Sequence, residues 1–260
     1  MTVIIKKGLR GGIKIEDNKK SDGSPIEVLC APSRVIIPLQ QHVGYECEPI
    51  VKKGDHVKEG DLIGASSDNF SAYIHSSISG NVSAILKIIN PATSTIISAV
   101  EVSASENTEK NIKKTSIDVY DAIKATASVN SLSAAEMLEL IKQAGVVGLG
   151  GAAFPTHLKL SASSGKKIDT LVINGCECEP YITADHRLML EYAAEIICGV
   201  YITAKILAVD NIIFAIENNK LDAIRNIEST GESIGLSDKI KIVSLPSRYP
   251  MGAEKILIYN

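Results

Sequence analysis

Three segments of the chain hold residue types that do chemistry. The first is Gly145-Val-Val-Gly-Leu-Gly-Gly-Ala-Ala-Phe-Pro-Thr-His-Leu-Lys159. Gly148, Gly150 and Gly151 let a backbone turn sharply and approach a ligand closely. Successive N–H groups in such a loop bind phosphate, and Lys159 adds a point charge. The loop lacks the Gly-Lys-Ser/Thr of a P-loop. It follows a predicted helix, whereas a dinucleotide fingerprint follows a strand. A tight turn explains it equally well. The second segment is Asn174-Gly-Cys-Glu-Cys-Glu-Pro-Tyr-Ile-Thr-Ala-Asp185. It follows a predicted strand, where α/β sheets place ligands. Asn174 offers a donor and an acceptor to a heterocycle edge. Glu177 and Glu179, two residues apart, suit ribose hydroxyls or an amide, or repel misplaced anions. The bland alternative is a surface acidic turn with a cap at Asp185. The third segment is Tyr249-Pro-Met-Gly-Ala-Glu254. Gly252 before a predicted helix offers a backbone N–H, and Tyr249 a packing face.

Other chemistries are less well served. The five cysteines, Cys30, Cys47, Cys176, Cys178 and Cys198, include no C-x-x-C. Structural zinc and ferredoxin-type clusters use tighter sets of four ligands, so no metal site is expected. An odd cysteine count favours free thiols in a reducing compartment. The five histidines form no pair at helical spacing. A net charge of −3 without a basic stripe makes nucleic acid a poor partner. With 45% hydrophobic but only 4% aromatic residues, a globular core must come from Ile, Val, Leu and Ala. No signal peptide is expected at the start. The apolar stretch 193–216 is broken by Glu195, Lys205 and Asp210, so no membrane span is expected.

The elements that must position these segments read as a two-domain α+β chain. Residues 1–102 form short strands between turns, a β-rich half. Two Gly-Asp turns, at Gly54-Asp55 and Gly60-Asp61, are its clearest feature. Residues 103–130 are polar and read as a linker. From Ser131 the period is helical, with Ala134, Met137, Leu138 and Ile141 on one face, a capping box at Ser133-Ala-Ala-Glu136 and Gly145 just past the end. Strands are expected at 168–173, 211–216 and 239–244. Helices are expected at 185–207, broken near Glu191, at 220–228, and at 250–259 with Pro250 in its first turn. This alternation argues α/β with a mostly parallel sheet over 131–260.

The β-rich half resembles the barrel-sandwich hybrid of biotinyl and lipoyl carriers. Carriers hold a modified Lys between two such turns. Here the interval 65–75 contains no Lys, so a carrier role is not expected. The whole chain resembles the RnfC family, a component of the Rnf electron-transport complex. The resemblance runs through Gly8-Leu-Arg-Gly-Gly-Ile, Ile37-Pro-Leu-Gln-Gln-His-Val-Gly and Ile74-His-Ser-Ser-Ile-Ser-Gly. It continues through Val147-Gly-Leu-Gly-Gly-Ala-Ala-Phe-Pro-Thr, Ile173-Asn-Gly-Cys-Glu-Cys-Glu-Pro-Tyr-Ile-Thr-Ala-Asp-His-Arg and Tyr249-Pro-Met-Gly-Ala-Glu-Lys. The second half is also similar to the flavin-binding subunit of respiratory NADH dehydrogenase.

The resemblance implies a truncated, Rossmann-like flavin domain and a set of roles. Gly148, Gly150, Gly151 and Lys159 would hold the FMN phosphate and ribityl chain, and Asn174 and Glu177 would line the flavin. Phe154 and Glu179 match positions near bound NADH. Tyr249, Gly252 and Glu254 match a third flavin-facing segment, with Glu254 also near the nucleotide. Cys176 departs from the pattern, which has Ala or an acidic residue there. His157 and Leu160 also replace residues of the dehydrogenase loop. RnfC proteins continue with a further flavin-contacting segment, a small β domain and two [4Fe–4S] motifs. The chain therefore reads as an amino-terminal portion. The implied function is electron transfer between NAD(H), FMN and iron–sulfur clusters beside other Rnf subunits. The implied location is cytoplasmic, peripheral at the cytoplasmic membrane face. The alternatives are a paralogue serving a soluble reductase, such as the protein associated with proline reductase, and a non-catalytic docking module.

Overall fold

The structure, a computed structural model, describes residues 2–5, 11–90, 92–105, 116–161 and 167–260. Gly8, Leu9 and Arg10 of the first motif lie outside these. The described residues form two compact units. One takes those of segments 1–27, 115–134 and 165–260; the other takes those of 28–114 and 135–164.

The first unit is built on four parallel strands in the order β1 (Thr2–Ile5), β11 (Ile240–Leu245), β10 (Asn211–Glu217) and β9 (Thr170–Gly175). The strands are apolar on both faces, as parallel strands are. Ile212, Phe214, Ile216, Ile240 and Ile242 point to one face. There they pack with residues of α4 (Ala184–Glu191), α5 (Ala193–Leu207) and α6 (Leu221–Ile234). Ala215 and Leu245 face the other way, with Met251 and with Leu257 of α7 (Glu254–Tyr259). The break between α4 and α5 falls at Tyr192, one residue past the expected Glu191.

The second unit holds two antiparallel sheets. One has the order β2 (Arg34–Pro38), β8 (Ile96–Ala104), β7 (Gly80–Ile89), β4 (His56–Val57). The other has the order β3 (Glu48–Pro49), β5 (Leu62–Ala65), β6 (Ile74–His75). Leu39, Cys47, Ile63, Val82, Val100 and Val102 meet in their shared core. Both Gly-Asp turns form as expected. Gly54 and Gly60 take φ of +95° and +85°. Asp55 accepts from the Lys52 N–H at 2.9 Å, and Asp61 from the Lys58 N–H at 2.8 Å. Helices α2 (Ala134–Gln143) and α3 (Thr156–Ser161) follow in the chain.

β1 pairs with β11, some 240 residues on, so the compact units interleave along the chain, where the expected domains 1–102 and 131–260 run consecutively; α3 and most of α2 fall in the β-rich unit. Several other expectations need correction. The 103–130 segment is more than a linker. β8 runs to Ala104, and α1 (Val119–Val129) is capped by Asp118, which accepts from the Asp121 N–H. Its Ala122 is buried against Ala194 and Cys198 of α5, with Ala125 and Ile234 packed against them, so α1 docks through small apolar residues. Residues 106–115 lie outside the described set. α6 runs on past Glu228 to Ile234, because Ile234 still packs on the core and the helix ends only at Gly235, at φ +83°. α7 starts at Glu254 rather than at Pro250. Met251 in the preceding turn is fully buried, and Ala253 is still extended, at ψ 120°. Among the described residues no helix is long and apolar enough to cross a membrane.

Candidate functional site

In the β-rich unit, the glycine loop begins where α2 stops. Gly145 takes φ +68°, and a Cβ there would lie 2.2 Å from the Tyr73 carbonyl oxygen, so only glycine fits. The neck of the loop is closed by the Val147–Pro155 bridge, by Gly148 N–H donating to Phe154 O at 3.0 Å, and by Thr156 N–H donating to Val146 O. Beyond the neck, the N–H groups of Leu149, Gly150, Gly151 and Ala152 have no partner outside the loop's own turns among the described residues. A Cβ on Gly150 or Gly151 would meet nothing within 4 Å, and one on Gly148 nothing closer than 3.8 Å. The loop thus offers a run of N–H donors to open space, which is what an anionic phosphate group requires. Lys159 is exposed on α3.

The loop is held by the turn that in carriers presents the modified Lys. His157 is buried, with Nε2 3.0 Å from Asn69 O, a distance at which Nε2 carries the donated proton. The Phe154 ring lies 5.7 Å from Phe70, whose other neighbour is Tyr45 at 6.5 Å in an edge-on arrangement. Val43 N–H donates to Ala153 O. The 65–75 turn is therefore a platform for the glycine loop.

In the α/β unit, the loops after β9, β10 and β11 meet at the carboxyl ends of the strands. Asn174 Nδ2 donates to Gly252 O at 2.8 Å, and its Oδ1 accepts from Cys176 N–H at 3.2 Å. Gly252 N–H points at Cys178 Sγ, 3.2 Å away. A Cβ on Gly252 would lie 2.6 Å from Cys176 O, so this glycine is a requirement of close backbone approach. Glu177 is buried. Its Oε1 accepts from the Asp185 N–H at 2.7 Å and caps α4; Oε2 has no hydrogen-bond partner. Tyr249 joins the antiparallel bridge to Ile13. Glu179 and Glu254 are exposed.

Beneath this knot lies a buried ion pair. Lys220 Nζ donates to Glu217 Oε2 at 2.9 Å, to Asn219 Oδ1 at 3.0 Å and to Glu177 O at 3.3 Å, with both charged side chains at most 1% exposed. Burial pushes the Glu177 carboxyl above the usual range, opposed by the Asp185 N–H and by Lys19. Burial and the charge of Glu179 push Asp185 up as well. Burial, with Glu217 nearby, pushes the Cys176 thiol up to about 12, and burial raises Cys178. Both thiols are buried and held toward their neutral form.

The structure thus joins Asn174, Cys178 and Gly252 directly, with Glu177 beside them, and places Tyr249 and Glu254 on the flanks of the same turn. Gly148, Gly150, Gly151, Phe154 and Lys159 share the other unit's loop. Asn174 spends one donor on Gly252 O and one acceptor site on the Cys176 N–H, and Glu177 spends one oxygen on the Asp185 N–H. Sequence reasoning missed Lys19, Glu217 and Lys220. Glu217 and Lys220 were visible as charges at the carboxyl end of a predicted strand; nothing marked Lys19.

Comparison with known proteins places these two units in context. The RnfC barrel sandwich hybrid domain matches residues 7–107. The Nuo51 FMN-binding domain matches residues 141–260. The C component of the proton-translocating ferredoxin:NAD(+) oxidoreductase complex of Clostridium ljungdahlii is 41% identical over 97% of this chain and 52% of its own length. The Na(+)-translocating counterpart from Acetobacterium woodii is 37% identical over 98% of this chain and 55% of its own. The C component of the ion-translocating oxidoreductase complex of Rhodobacter capsulatus is 37% identical over 96% and 46%. The chain spans about half the length of these relatives. A barrel-sandwich domain followed by an FMN-binding domain, with relatives of one kind across almost every residue, makes this chain a member of the RnfC family.

Proposed function

We propose that this chain binds FMN and serves as the flavin-bearing portion of an electron-transfer subunit working with NAD(H) in an ion-translocating oxidoreductase complex. The observation that carries the reading is the exposed glycine loop, whose N–H groups from Leu149 to Ala152 have no partner outside its own turns among the described residues, at the start of the matched FMN-binding domain. The residues present fit the cofactor. Gly148, Gly150, Gly151 and Lys159 would take the phosphate and ribityl end. Asn174, Glu177, Tyr249, Gly252 and Glu254 would line the ring, with the four-stranded parallel sheet acting as a Rossmann-like base. Phe154, Glu179 and Glu254 would face the nicotinamide nucleotide.

When bound, FMN supplies the redox chemistry, exchanging hydride with nicotinamide and single electrons with iron–sulfur centres. The chain's residues bind and orient. The open N–H groups neutralise phosphate charge without a side chain. The Phe70–Phe154 pair offers an apolar face. Glu177, held by the Asp185 N–H, fixes the start of α4 behind the loop. The partners in this reading are NAD(H) and the other subunits of the complex, at the cytoplasmic membrane face.

The test is flavin titration of the 260-residue chain, followed by gel filtration. Retained, stoichiometric flavin with quenched fluorescence is the expected result. Gly150→Val, whose side chain enters open space, should weaken binding at least about tenfold while leaving the melting temperature unchanged. A chain that retains no FMN, or a Gly150→Val variant that binds it as tightly as the parent, overturns the reading.

A further inference from the structure

The arm formed by residues 11–27 holds a lysine that the proposed function does not use. Lys19 has a side chain only 8% exposed. Its Nζ lies 2.7 Å from Glu177 O, 3.0 Å from Glu179 O and 2.6 Å from Ile182 O. A lysine ammonium has three donors and no acceptor. All three are spent on carbonyl oxygens of one six-residue stretch. The carboxylate of Glu177 stands further off, at 3.8 Å. The arm makes two more ties to the same loop. Tyr181 N–H donates to Asp17 O at 2.8 Å, and the Ser21 and Thr183 hydroxyls lie 2.8 Å apart. Tyr181 sits at φ +69°, a left-handed conformation that costs a non-glycine residue energy and persists only where surrounding contacts hold it.

We propose that Lys19 is the positioning residue of the loop 176–183, its ammonium filling a ring of carbonyls as a bound monovalent cation would. The consequence follows from peptide geometry. In a trans peptide the N–H points opposite to the C=O. Holding the Glu177 and Ile182 carbonyls toward the ammonium turns the N–H groups of Cys178 and Thr183 away from it. The loop keeps its acceptors inside and shows the ligand a surface that does not repel an electron-rich ring or an anion. Lys220 adds a second donor to Glu177 O from below, but it is already committed to Glu217. Lys19 alone gathers three carbonyls.

The identity of the ligand rests on the flavin reading above; the clamp itself does not. The test therefore has two readouts, amide hydrogen exchange of residues 176–183 and FMN affinity, measured on Lys19→Ala and Lys19→Met chains. Lys19→Ala should lose protection across 176–183 and weaken FMN at least about tenfold, the loss of a charge-assisted hydrogen bond. Added ammonium ions should restore both, because they refill the carbonyl ring. Tetramethylammonium, which has no N–H, should not. Lys19→Met keeps the packed stem, so it serves if the alanine variant fails to fold; its stem also blocks the ring, so ammonium should not rescue it. Parental protection in either variant overturns the proposal. So does a folded Lys19→Ala chain whose loss ammonium fails to restore. If the parent binds no FMN, the flavin reading falls, while the exchange data still judge the clamp.

Discussion

Replacing Lys220 by Met tests the floor of the site most directly. The methionine keeps the volume of the stem but removes an ammonium bonded to Glu217 Oε2, Asn219 Oδ1 and Glu177 O. Glu217 is left at 0% exposure with no counter-charge, and its Oε1 already lacks a partner. Breaking a buried pair from one side costs roughly 3–5 kcal/mol. We therefore expect a loss of about 3–5 kcal/mol at pH 7. Hydrogen exchange of β10 amides measures it locally, without assuming that both units unfold together. Adding Glu217→Gln should recover most of the loss, leaving about 1–2 kcal/mol for the bond to Glu177 O. A deficit below about 1 kcal/mol at pH 7, or a Glu217→Gln change that recovers none of it, refutes the reasoning.

Three further outcomes are expected. Gly145→Ala, strained at positive φ and 2.2 Å from Tyr73 O, should destabilise the β-rich unit by about 1–3 kcal/mol in urea unfolding, whereas Gly150→Ala should change it by less than about 0.5 kcal/mol; equal effects would contradict the loop geometry. With a thiol pushed up to about 12, Cys176 should resist iodoacetamide at pH 8 in the folded chain while the exposed Cys30 reacts, and mass mapping that finds both equally labelled would be the opposing result. Burial acts to raise Asp222, but the His186 hydrogen bond at 2.8 Å and the Ala223 N–H outweigh it and hold the carboxyl below its usual range. Its small contribution is present above the ordinary carboxylate range and is lost as pH falls through the folded value. Asp222→Asn should therefore flatten the acid limb of the stability profile slightly, and an unchanged limb would count against the pairing.

Much of this molecule was legible from short-range patterns. The strands at 170–175, 211–217 and 240–245 are apolar runs that announce themselves. The paired Gly-Asp turns repeat one local rule, a glycine at positive φ followed by an aspartate bonding back three residues. The three candidate segments stood out because glycines and acids cluster there, and the β9 and β11 segments do meet, through Asn174 and Gly252. Each signal needs only neighbours within a few positions, and such neighbours are written in the chain.

What the chain order could not show was which distant groups share a space. Lys19 bonds to a carbonyl 158 positions away, and an ammonium seeking backbone oxygens leaves no mark in residue type, since every residue carries a carbonyl. β1 joins β11 because the edge of a parallel sheet accepts any strand of suitable pattern, wherever it lies in sequence. Asn174 and Glu177 suggested ligand contacts by type, but the fold spends part of their capacity on Gly252, Cys176 and Asp185. Cys176 and Cys178 read as free thiols, but only their burial shows that they are held toward the neutral form. The sequence alone determined most of the parallel strands and their helices, the Gly-Asp turns and the family resemblance. The tertiary structure decided the bonding and the protonation of the side chains, because hydrogen-bond partners and desolvation depend on three-dimensional neighbours rather than on position in the chain.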